Sequence, residues 1–169
     1  TDAAGNDNTI SNTYAWTHDV TSPTMTLSST DVSNGGTYNA AITMTFTSNE
    51  PTTNFDSSDV TLTNCTLSGW DNSNAPVYTA TITPTGANPS VVVNAGVFTD
   101  VAGNDNTISN TYAWIHDVAP PTMIISATEV SNGGTSNDSV ISVTFESSKS
   151  SDDFTDQDIT VQNGTLTNF

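Results

Sequence analysis

The sequence predicts an all-β protein made of tandem two-sheet β-sandwiches. Three observations lead there: short runs in which apolar residues alternate with Thr or Ser, turn residues between those runs, and a long internal repeat. Thr1 to Gly36 matches Thr99 to Gly134 at most positions with an offset of 98. After a one-residue insertion near Ser139 the offset becomes 99, and Ile42 to Trp70 matches Ile141 to Phe169. A period of that size means tandem domains, because solenoid units repeat every ~20–50 residues.

Within the full copy, Met25 and Leu27 form the first run, and Asn34-Gly35-Gly36 marks a turn that needs positive φ. Ile42, Met44 and Phe46 then point to one face while Thr43, Thr45 and Thr47 point to the other, the period of a half-buried antiparallel strand. Val60 and Leu62 repeat that pattern, and Leu67 follows a break at Asn64-Cys65. Tyr78, Ala80 and Ile82 alternate with Thr79, Thr81 and Thr83 until Pro84 ends the run. Val91, Val93 and Ala95 come next. The last run, Ile108 to His116, places Tyr112 and Trp114 on one face, where they are expected to fill the core. About seven antiparallel strands per copy result, with no helical period anywhere.

The repeat divides the chain into three parts: 1–19, the C-terminal strand region of a preceding copy; 20–117, a complete copy; and 118–169, the N-terminal half of a following one. Pro23 and Pro120-Pro121 stiffen the junctions, so the copies are expected to form a semi-rigid rod. Two readings of the ends stay open. Either both are cut from a longer array, or incomplete ends of neighbouring chains complete one another by pairing sheet edges. The second is only partly satisfied by strand count, since the C-terminal half lacks the equivalents of Asp71 to Phe98.

Charge narrows the partners. Eighteen acidic residues face one basic residue, Lys149, for a formal net charge of -17, and a surface that neutralises several phosphates needs several Lys or Arg. Nucleic acid is excluded on that ground. No stretch approaches the ~20 apolar residues of a membrane span, and no charged segment precedes an apolar one, so any export signal is expected outside this chain. Divalent cations are the first partner to consider, because they relieve the repulsion of so many carboxylates. Cys65 is the only cysteine, which excludes an intrachain disulfide and leaves the redox compartment open.

The segments Asp19 to Met25, Phe55 to Asn64, Tyr78 to Pro84 and Val93 to Asn104, above all Phe-Thr-Asp-Val-Ala-Gly-Asn at Phe98 to Asn104, resemble the bacterial Ig-like domains repeated in large surface adhesins and biofilm-associated proteins. The resemblance covers essentially the whole chain. It implies an immunoglobulin-like sandwich and an extracellular or cell-surface location, with the repeats acting as spacers that extend a binding tip; some members of the family rigidify with calcium. The near absence of Lys and Arg, and Cys65 where the next copy has Gly164, depart from the pattern.

Ca²⁺ takes six to eight oxygen ligands, so a site needs Asp, Asn and carbonyl oxygens converging at a loop. Asp100, Asn104, Asp105 and Asn106 are the candidate cluster, and Asp2, Asn6, Asp7 and Asn8 repeat it. The linker residues Asp19 and Asp117, with Asp31 and Glu129, are expected to approach from the adjoining domain. Asp56 and Asp59, with Asp156 and Asp158 as their counterparts, form a second candidate. The competing explanation for all of these is that Asp and Asn simply form turns.

Sequons at Asn64, Asn137 and Asn163 are candidate glycosylation sites. His18 and His116 lack the neighbours of a zinc site, and Cys65 has no adjacent base to make a thiolate. No nucleophile elbow or paired acid and base is present, so no catalytic residue is assigned and the protein is expected not to be an enzyme. The expected function is a structural rod or stalk segment of a cell-surface adhesin, with neighbouring copies as partners in cis. The alternative is a subunit of a self-assembling extracellular filament, a homopolymer joined by strand pairing or exchange. A carbohydrate-binding module using the aromatic residues ranks third.

Overall fold

The structure, a computed structural model, describes residues 1–169. The chain divides into two compact units, Thr1–Asp117 and Val118–Phe169. It is all-β apart from two single-turn 3-10 helices.

In the first unit, β1 (Met25–Ser28), β3 (Ile42–Ser48), β6 (Val77–Pro84) and β5 (Cys65–Asn74) form a four-stranded antiparallel sheet in the order β1-β3-β6-β5. A three-stranded antiparallel sheet contains β4 (Val60–Thr63), β7 (Ser90–Val93) and β8 (Tyr112–Ala113), in that order. These seven strands match the number that the alternating runs predict. Two further strands of two residues each, β2 (Thr37–Tyr38) and β9 (Ile115–His116), pair in parallel, which the sequence did not announce. β5 also runs through Gly69-Trp70, further than expected, and its register on β6 shifts twice between Ser68 and Asn74.

The period of two decides what is buried. Ile42, Met44 and Phe46 of β3 and Tyr78, Ala80 and Ile82 of β6 are buried, and they meet Val60, Val91, Val93 and Tyr112 from the second sheet. Phe55 sits at the centre of the aromatic packing, with ring centroids 5.0 Å from both Tyr78 and Phe98 and 5.3 Å from Trp70. Trp114, between β8 and β9, is 2% exposed. It is a core residue and presents no face to a sugar.

One asparagine ties the end of the copy to its beginning, and another braces the loop that leads to it. Asn110 uses its carboxamide like a strand, accepting from Leu27 N–H (2.8 Å) and donating to Leu27 C=O (3.0 Å) on the free edge of β1. Asn106, 3% exposed, accepts from the N–H groups of Val97 (2.8 Å) and Phe98 (3.0 Å) and donates to the carbonyls of Asn94 and Thr107 (both 2.8 Å). Asn106→Ala strands two buried or half-buried N–H groups and is expected to cost about 2 kcal/mol in urea unfolding. An unchanged midpoint would contradict that role.

The second unit contains one small sheet, β10 (Met123–Ala127) antiparallel to β11 (Val143–Ser147). Ile125 faces Phe145 there as Leu27 faces Phe46 in the complete copy. Phe145, Phe154 and Phe169 gather beneath it, with centroids 5.5–6.1 Å apart. Residues 1–19 contain no strand, although their counterparts 99–117 contain β8 and β9. Their place in the complete copy is already filled by those counterparts. Ile10, Tyr14 and Trp16 are accordingly 97%, 83% and 77% exposed.

Candidate metal centre

Three loops converge at the end of the complete copy from which β1 starts. The segment before β1 is held by Asn104 Nδ2 on the Asp19 carbonyl (3.2 Å), by Thr107 N–H on the Pro23 carbonyl (3.0 Å), and by Asn49, whose Oδ1 accepts from Thr24 N–H (2.6 Å). The loop after β3 is joined to the third one through Thr53 N–H on the Thr99 carbonyl (3.2 Å) and Thr99 N–H on Asn54 Oδ1 (2.9 Å).

That third loop is built around Asp100. Its Oδ1 accepts from Asn104 N–H and its Oδ2 from Asn104 Nδ2, both at 2.9 Å, while Gly103 turns the chain at φ +91. A residue with a Cβ is strained at that φ, which explains the glycine. The Asn104 side chain, followed by main-chain N–H groups, holds the Asp100 carboxyl below the ordinary carboxylate range.

The convergence brings Asp19, Glu50 and Asp100 together: one carboxylate oxygen from each lies within 4.8 Å of the other two. Two oxygens on opposite sides of a Ca²⁺ ion are up to about 5 Å apart, so the trio fits around a single hard cation. Asp19 is exposed, Glu50 half-buried and Asp100 buried. Of the predicted ligands, therefore, Asp19 and Asp100 meet, with Asn104 bridging them. Glu50 was missed, since one acid in Ser-Asn-Glu-Pro, far from both partners in sequence, carries no spacing signal.

The other predicted residues lie elsewhere. Asn106 points into the core, with both ends of its carboxamide occupied. Asp105 and Asp117 lie outside the trio, and Asp117 N–H bonds the Tyr38 carbonyl. Asp2 and Asn6 reproduce the Asp100–Asn104 loop, with Asp2 carboxylate bonds of 2.9, 3.0 and 2.9 Å to Ala4 N–H, Asn6 N–H and Asn6 Nδ2. That loop closes without any domain around it, and Asp2, Asn6, Asp7 and Asn8 are all exposed. Asp31 and Glu129 do equivalent work in the two copies, accepting from Thr43 and Ser142 N–H respectively.

Asp56 and Asp59 form a capping box on the 3-10 helix Ser57–Asp59. Here the expected pairing needs correction. Thr155, not Asp156, takes the place of Asp56, and Asp158 bonds back to Thr155 N–H at 2.9 Å. These acids close a turn. Among the sequons, Asn64 donates to the Ala87 carbonyl (2.8 Å) at φ 53, and Asn137 and Asn163 are exposed. Cys65 is half-buried with its thiol directed at the Ser90 carbonyl, and burial raises its pKa.

A model of the bacterial Ig-like domain matches residues 19–114, more than half of the chain. The chain belongs to the bacterial Ig-like domain family. Comparison with curated proteins and with solved structures returned no match. The matched span of this bacterial Ig-like protein begins at Asp19, so it includes all three carboxylates. Domains of this family are typically non-enzymatic and commonly extracellular. No helix here is long and apolar enough to cross a membrane.

Aligning the copies adds one fact about the trio. Lys149, the only Lys or Arg, stands where the complete copy has Glu50, and Asp117 stands where it has Asp19. Position 50 thus carries an anion in one copy and a cation in the next.

The bonds to Asp100 also set an acid response. Its folded pKa is depressed, so its contribution is present above the unfolded carboxylate value near 4 and lost as pH falls through the folded value. Melting followed from pH 7 to pH 2 should show a fall below pH ~4 that Asp100→Asn makes shallower. Identical acid profiles for the two proteins would show that the loop plays no part.

Proposed function

We propose that this chain is a structural segment of an extracellular or cell-surface protein, in which Ig-like copies in series extend a distant binding element, as in an adhesin stalk. One observation carries the reading: a complete Ig-like sandwich with its core filled by its own side chains sits between near-copies of its own sequence. Two clefts lie on the second unit, and neither is lined by a His, Cys, Lys or Arg.

The reading includes a cation at the end of the complete copy. Asp19, Glu50 and Asp100 would hold Ca²⁺, which suits hard carboxylate oxygens, and the ion would supply positive charge that joins the segment before β1 to the loops after β3 and Phe98. The Lys149 replacement supports it, because a lysine ammonium meets the same need for positive charge without an ion.

Small-angle scattering of the chain with calcium and with chelator tests the stiffening. A longer maximum dimension and narrower length distribution in calcium are expected; identical curves would remove calcium from the reading.

A further inference from the structure

We propose that Asn34–Gly35 is a self-modification site of the complete copy, held unreactive by the segment Thr111–Ala113 and released when that segment lifts. This stands apart from the stalk reading and involves no ion. Asn-Gly is the dipeptide most open to ring closure within the main chain, because glycine places no Cβ beside its own nitrogen. The Gly35 nitrogen gives its proton to water or hydroxide, forms a bond to Asn34 Cγ and expels the side-chain nitrogen as ammonia, leaving a cyclic imide. Water then opens the ring. Cleavage of the new C–N bond leaves aspartate, and cleavage of the original peptide bond leaves isoaspartate, whose main chain runs through Cγ. One water enters and one ammonia leaves, with no oxidant or reductant.

In the folded copy the atoms of that reaction are all hydrogen-bonded to one short stretch of chain. Gly35 N–H donates to the Ala113 carbonyl (2.7 Å), Asn34 Nδ2 donates to the Thr111 carbonyl (3.0 Å), and Asn34 Oδ1 accepts from Ala113 N–H (2.9 Å). The attacking nitrogen thus keeps its proton in a bond, the leaving nitrogen is tied, and the carboxamide cannot turn to bring Cγ onto Gly35. Water is not what is withheld, since Asn34 and Gly35 are both exposed. The lock is therefore as strong as the hold on the closing segment. Asn110 supplies that hold on one side through Leu27, and the Tyr112 hydroxyl supplies it on the other through the Val32 carbonyl.

Modification destroys the lock that delayed it. A carboxylate at position 34 has no proton for the Thr111 carbonyl, so two acceptors face each other where a hydrogen bond was. Isoaspartate also adds one carbon to the main chain of a turn without slack. Gly35 sits there at φ +84, and a Cβ on Gly36 would lie 2.8 Å from Val32 Cγ2. The Gly36 carbonyl, which accepts from Ile115 N–H at 2.8 Å, is displaced with it. A copy that has opened long enough to react recloses less well, so the opening is recorded in the chain.

The full chain, kept in mildly alkaline buffer either folded or in guanidinium chloride, tests this. Chymotrypsin releases Ser28–Tyr38, in which Asn34 is the only amide side chain, and its mass reports conversion to the acid. Conversion in the folded chain is expected to be about a hundredfold slower than in guanidinium chloride, because it follows the population of the opened segment. Asn110→Ala and Tyr112→Phe each remove hydrogen bonds of the closing segment while leaving the rings of the core in place, which circular dichroism checks. Each should speed the folded reaction about fivefold. Asn34→Asp, one of the two products, should melt below wild type. Equal rates in the folded and denatured chain, no conversion in guanidinium chloride, or no acceleration in either variant would overturn the lock, and wild-type melting of Asn34→Asp would overturn the loss of closure.

Discussion

Trp114→Ala should unfold most of what holds the complete Ig-like copy together, with a loss of about 3–5 kcal/mol. Whole domains are stable by only about 5–15 kcal/mol, so this variant is expected to melt near or below ambient temperature. The ring is 2% exposed, and emptying its site leaves a cavity that the two sheets, tied through Asn110 and Tyr112, cannot close by sliding together. Trp114→Phe should cost far less. The indole N–H of Trp114 is buried with no hydrogen-bond partner, so Phe gives up volume but also removes an unsatisfied donor. Trp16→Ala, the same change at the equivalent position of the first segment, should leave the melting temperature unchanged because that ring stands in water. Thermal unfolding followed by far-ultraviolet circular dichroism separates the three. Equal losses for Trp114→Ala and Trp114→Phe would show that the indole N–H, and not the ring volume, decides the site.

Glu50→Lys should abolish the response of this protein to calcium. If Asp19, Glu50 and Asp100 hold the ion, calcium at a hundred times its Kd stabilises the folded copy by about 2.7 kcal/mol through mass action. For a domain of this size that is a rise in melting temperature of roughly 10 °C or more. The lysine variant copies the arrangement already written at position 149, so it should melt at one temperature in calcium and in chelator, above wild type in chelator. Glu50→Gln separates charge from liganding: it should weaken calcium binding while lacking the gain in chelator. A calcium-dependent rise that survives in Glu50→Lys would place the ion elsewhere.

Strands proved easy to read where one face is buried, because alternation is then forced: Ile42 to Phe46 and Tyr78 to Ile82 follow it residue by residue. β2 and β9 were illegible, being two residues long and paired across the whole copy by main-chain bonds that no side-chain pattern reports. The candidate metal centre was half legible. Asp19 and Asp100 stand out as repeated acids in turns, whereas Glu50 joins them only through the fold. Asn106 shows the opposite error: in sequence it looks like one more loop oxygen, yet four hydrogen bonds make it a buried brace. An Asn in an acidic turn does not reveal whether it faces solvent or the core.

The brace made by Asn110 on Leu27 spans 83 residues, and it is expected to be among the last contacts of the copy to form. Contacts at that separation form late, because the loop must be closed before they give anything back. On that order, the β1 edge of a copy is expected to stay open until the last segment arrives. In an array of near-identical sequences every arriving segment fits every open edge, so correct pairing is a race. A segment tethered in its own copy competes at an effective concentration on the order of millimolar, and wins wherever free chains are more dilute. Crowded chains, or slow synthesis of the closing segment, would shift that race towards partners.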